Sequence, residues 1–85
     1  MAVFSLDNTY KNKTIKTNVY EFRIRHNLNN DFFYYDLYDI DGNIISYHNK
    51  IVTGYQRDGF IFTSDNNDSY ANLDNINTFK LVTNG

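Results

Sequence analysis

The chain has 85 residues, a formal net charge of −2, and no Cys, Pro or Trp. That length makes a single domain over residues 1–85, and without Cys it can form neither a disulfide nor a thiolate metal site. The slight acidity leaves no basic footprint for nucleic acid, no apolar run approaches the ~20 residues of a membrane span, and no Lys/Arg-led apolar leader opens the chain.

Residues 3–6 (Val-Phe-Ser-Leu) read as an opening strand closed by Asp7-Asn8. Residues 10–17 are polar, with only Tyr10 and Ile15 to bury, and suit either a loop or a weak edge strand. Lys11, Lys13 and Lys16 would defend such an edge against further pairing. Residues 18–26 carry the cleanest two-residue period. Tyr20, Phe22 and Ile24 point to one side and Glu21, Arg23 and Arg25 to the other, so one face is core and the other meets water or a charged partner. Residues 27–31 form a turn cluster.

Residues 32–38 follow with rings on both faces. Phe33, Tyr35 and Leu37 share one, and Phe32, Tyr34, Asp36 and Tyr38 share the other. Such a strand is central and covered on both sides, or it meets another subunit. Asp41-Gly42 then makes a hairpin turn, because Gly accepts the positive φ of a tight turn, and residues 44–48 return from it. Residues 50–53 read as a further short strand ended by Gly54. Asp58-Gly59 turns the chain into a strand at 60–63, residues 64–69 are an Asp/Asn loop, and residues 74–77 form one helical turn or a loop. Residues 78–82 close the fold. The expected architecture is all-β: a small antiparallel sandwich or partly open barrel of about six or seven short strands.

Few residues suggest chemistry. Asp39, Asp41 and Asn43 around Gly42 resemble part of a calcium loop, but the position that needs a bidentate Glu holds His48, so a turn is the better reading. The run Asp65-Asn-Asn-Asp68 reads as a solvated loop. Ser46 and His48 lack an orienting acid, and no Ser lies in a nucleophile elbow. No enzyme activity, metal or other cofactor is expected. Arg23, Arg25 and His26 beside many rings suggest a base-stacking sheet, but Glu21 interrupts the basic face, so a charged interface or a solvated face is the better reading. The 8 Tyr and 7 Phe exceed what so small a core needs, and Tyr suits interfaces because its ring is apolar and its hydroxyl is wet.

The order Tyr20-x-Phe22-x-Ile24, Phe33-x-x-Asp36-Leu37-Tyr38-Asp39, Asp41-Gly42-Asn43 and Lys50-Ile51-Val52-x-Gly54 resembles the small plug-like proteins of phage baseplates, over residues 18–54. Members of that family run longer after the last of these strands and carry Pro there, where this chain has none. The resemblance implies a structural component at the central hub of a contractile phage tail or phage-tail-like bacteriocin. It implies hub, tube and spike subunits as partners, three- or six-fold cyclic copies, no nucleic acid and no membrane. The expected location is a virion baseplate or an extracellular tail-like particle, reached after synthesis in a bacterial cytoplasm without a signal peptide. The candidate contact residues are Tyr34 and Tyr38 on the aromatic strand, Tyr55 and Phe60 beside the Asp58-Gly59 turn, and the charged face of Glu21, Arg23 and Arg25. The alternative is a small phage-encoded regulator that binds a host protein or single-stranded nucleic acid.

Overall fold

In the computed structural model, which describes residues 1–84, seven strands form two antiparallel sheets. Strands β1 (Ala2–Ser5), β7 (Phe79–Thr83) and β6 (Phe60–Ser64) make a three-stranded sheet in that order. Strands β2 (Asn12–Lys16), β3 (Tyr20–His26), β4 (Phe33–Asp39) and β5 (Ile44–Lys50) make a four-stranded meander. The sheets do not close into a barrel, so of the two expected architectures the sandwich is the one formed. No helix among the described residues is long and apolar enough to cross a membrane.

Alternation along the strands builds the core. Register places Phe22 beside Leu37 and Ile24 beside Tyr35 on one face of the larger sheet. Phe60, Phe62, Phe79 and Leu81 of the smaller sheet join the same buried cluster. Phe22 and Phe60 meet edge to face with centroids 4.9 Å apart, a geometry that aromatic quadrupoles favour. Tyr35 and Phe62 pack at 5.1 Å. Leu6, Ile15, Phe33, Ile51, Ala71 and Ile76 complete the cluster.

Turn chemistry follows the Asn/Asp bias. Between β4 and β5, the Asp39 carboxylate accepts from the N–H groups of Asp41 and Asn43, both at 2.9 Å, and Gly42 takes φ +87°. Asp7 caps a short 3-10 turn, Asn8–Lys11, by accepting from Thr9 N–H. The Asn72 side chain accepts from the N–H groups of Asp74 and Asn75 just before a second 3-10 turn, Ile76–Thr78, so the one-turn option for that segment is realised one or two residues late.

Two segments differ from, or decide, the sequence reading. The segment at 12–16 is the edge strand rather than a loop, and its lysines stand on that edge. The expected separate strand at 50–53 does not form. Lys50 ends β5, and Ile51 crosses between the layers, fully buried. Its N–H donates to Phe33 O at 2.9 Å and its carbonyl accepts from Ala71 N–H at 3.3 Å. A segment whose successive backbone groups serve different neighbours makes no ladder, and only an isolated bridge, Val52 to Tyr70, remains.

Candidate interaction surface

The outward face of β3 and β4 gathers most of the residues expected to touch a partner. Cross-strand register sets Glu21 beside Tyr38, Arg23 beside Asp36 and Arg25 beside Tyr34. These groups satisfy one another. The Arg23 guanidinium lies 4.0 Å above the Tyr38 ring, a cation–π contact, and its Nε donates to Glu21 at 2.6 Å. That hydrogen bond, with the charge of Arg23 behind it, holds the Glu21 carboxyl below the usual range and raises Arg23 further.

Arg25 and Asp36 organise the other end of the face. The register of β4 with β5 slips twice, between Tyr35 and Leu37 and between Leu37 and Tyr38. Next to the first slip, His48 adopts φ +57°, unusual for a side chain with a Cβ. The Asp36 carboxylate fills the gap in the ladder, accepting from His48 N–H at 2.8 Å and from Arg25 Nη2 at 3.1 Å. Arg25 Nη2 also donates to His48 Nδ1 at 2.8 Å, which requires the neutral ring to accept. The His48 ring stacks on Tyr34 with centroids 4.4 Å apart and planes 9° from parallel. The Tyr34 hydroxyl accepts from Asn30 Nδ2 at 2.8 Å.

The candidate residues therefore divide. Tyr34 is 7% exposed and lies beneath His48, and Tyr38 lies beneath Arg23, so neither offers a free ring. Phe60 is a core residue at 2% exposure, not a contact residue of the turn. It opens β6, and alternation with Phe62 turns both rings inward toward Tyr20, Phe22 and Tyr35. Tyr55 is exposed but lies in a separate groove with Tyr70. Of the charged trio, Arg23 is exposed and all three are engaged within the chain.

Four of the eleven large exposed apolar side chains lie on the β4–β5 hairpin and its outer strand: Ile40, Ile44, Ile45 and Tyr47. The sequence held a signal for this. Two consecutive Ile in a strand cannot both face one core. β5 is an edge strand, unpaired on its outer side, and unlike the opposite edge β2 it has no Lys before Lys50.

Among the described residues, neither histidine ring is hydrogen-bonded to a serine or threonine hydroxyl. Ser46 Oγ donates to Asn49 Oδ1 at 2.8 Å rather than to His48. His26 Nε2 donates to Asp31 at 2.8 Å, its ring buried against Phe33. Among the described residues no group of three or more His, Asp or Glu is placed to hold a metal ion. No family model, curated protein or solved structure matches this chain.

Proposed function

We propose that this chain is a non-catalytic adaptor that docks other subunits against the β4–β5 hairpin and the open edge of β5. We assign it to the hub of a contractile-tail baseplate, as a plug-like subunit beside hub, tube or spike proteins. The observation that carries the docking reading is the concentration of Ile40, Ile44, Ile45 and Tyr47, all exposed, at an unpaired sheet edge. Single surface hydrophobics need no explanation, but several along one hairpin, beside a strand with free backbone groups, suit docking by strand addition. The two register slips in β5 twist that edge and oppose open-ended stacking of copies, which favours a shaped partner. The baseplate assignment is supported by the resemblance over residues 18–54.

The test is co-expression with the hub, tube and spike proteins encoded near its gene, followed by purification of the complex and its mass. Co-purification is expected, with cyclic stoichiometry, and the double variant Ile44→Asp, Tyr47→Asp should abolish it while the free chain stays folded. Binding to the folded form should also raise the thermal midpoint, since a partner at 100 times its Kd adds about 2.7 kcal/mol. Unchanged incorporation of the double variant removes the docking surface. A gene placed among early regulatory genes, with a salt-dependent shift of single-stranded DNA, replaces the adaptor by a nucleic-acid regulator.

A further inference from the structure

A second surface, independent of the adaptor reading, lies where the crossover after β5 runs beside residues 69–70. Thr53 N–H donates to Ser69 O at 3.0 Å and Thr53 Oγ1 donates to Asp68 O at 2.9 Å, so these two segments form the walls of an open groove of about 430 Å³. Its lining is Val52, Thr53, Gly54, Tyr55, Ser69 and Tyr70. Tyr55 is 68% exposed and Tyr70 is 48% exposed, and both rings border this one groove. Gly54 has φ +84° and no atom within 4 Å of where a Cβ would stand, so the groove is bare between the tyrosines' supporting segments.

We propose that this groove is a binding site for a neutral saccharide. Four features select that chemistry. None of the lining residues is charged, which disfavours phosphate, carboxylate or nucleotide ligands. A neighbouring cation, Lys50, is already engaged, with its ammonium 4.3 Å from the Phe32 centroid and 5.0 Å from that of Tyr70. That contact, with Phe32 packed 5.6 Å from Tyr70, fixes the position of the Tyr70 ring. Among the described residues the hydroxyls of Tyr55, Tyr70 and Ser69 make no hydrogen bond, so three polar groups remain for a ligand's hydroxyls.

The remaining choice is between a sugar and a peptide. A peptide docks on exposed backbone by adding a strand, but here Thr53 N–H and Ser69 O already pair with each other across the groove. A pyranose presents an apolar C–H face to a ring and hydroxyls at its rim, which matches tyrosine's apolar body and polar tip. The site is shallow and small, so affinity on the order of millimolar is expected.

The experiment is a ¹H–¹⁵N NMR titration of the full chain with three probes: triacetylchitotriose, maltotriose and dextran sulfate. A neutral trisaccharide should shift the amides of residues 52–55 and 69–70 saturably. Tyr55→Ala and Tyr70→Ala should each weaken binding roughly three- to tenfold, with the rest of the spectrum unchanged, whereas Tyr47→Ala should bind as the parent does. The proposal is overturned if neither neutral sugar gives saturable shifts, if the shifts map away from the groove, or if both tyrosine variants bind normally. Preferential binding of dextran sulfate also overturns it, because the groove would then be reading charge.

Discussion

At the scale of single residues, Asp36 has the largest reach. It stands on the outward face of β4, where alternation expects a solvated group, yet it is buried. Its carboxylate is the acceptor that lets His48 leave the ladder at φ +57° and ties Arg25 to the same point. Asp36→Ala takes the acceptor from His48 N–H and one of the two acceptors from Arg25 Nη2, and should cost about 1.5–3 kcal/mol in urea unfolding, the range for hydrogen bonds to a charged group. Asp36→Asn, which keeps one acceptor oxygen for His48 N–H, should cost less, and equal losses would contradict this role. Asp39 offers a pH test. Hydrogen bonds from Asn43 first, then from Asp41 and Gly42, hold its carboxyl below the usual range. Its contribution to the turn is therefore present above the ordinary aspartate pKa and lost as pH falls through the lower folded value. Corrected for the intrinsic pH dependence of exchange, the protection of the Asp41 and Asn43 amides should fall in that acid window, and in Asp39→Asn this pH-dependent fall should disappear. The inward set Tyr20, Phe22 and Ile24 was legible from period alone. The work of Asp36 was not, because a bulge is set by how two strands pair, and no local pattern in either strand records it.

At the scale of elements, the β4–β5 hairpin joins the parts that sequence could and could not foresee. The Asp41-Gly42 turn was readable because its backbone requirement falls on one residue type. Gly42 sits at φ +87° with open space where a Cβ would stand, so Gly42→Ala meets no clash and reports the backbone conformation alone. It should destabilise the chain by about 1–2 kcal/mol in chemical denaturation, and a neutral effect would mean the turn relaxes to another type. The outer strand of the same hairpin was harder. Residues 44–48 were visible as a returning strand, but their exposure depends on β5 being the last strand of its sheet. The crossover at 51–53 was misread for a related reason: Ile51-Val52 has strand composition, and only the layout of the whole sandwich sends its backbone groups to Phe33 and Ala71 instead of to one partner.

At the scale of the whole molecule, the rings expected to seek neighbours mostly find one another. Of the 8 Tyr and 7 Phe, only Tyr47, Tyr55 and Tyr70 are exposed. The rest lie in the core, at its margin, or beneath Arg23, His48 and Lys50, so an outer layer of cations and rings supplements the small interior. A domain of this length has about 4–13 kcal/mol of stability to lose, and Tyr35 links the two sheets within it, touching Phe22, Phe60 and Phe62. Burial raises the Tyr35 phenol above its ordinary value, offset in part by the charge of Arg57. In the unfolded chain the phenol returns to its ordinary pKa near 10. Stability is thus unaffected by this group below that value and falls as pH rises past it toward the raised folded value, because only the unfolded chain can release the proton freely. The urea midpoint of the parent should drop steeply on passing pH ~10. In Tyr35→Phe, which keeps the ring contacts and removes the ionisable group, the drop should be shallower. Identical alkaline profiles for the two proteins would show that the phenol meets water in the folded state and that the sheets are less closely packed than this sandwich requires.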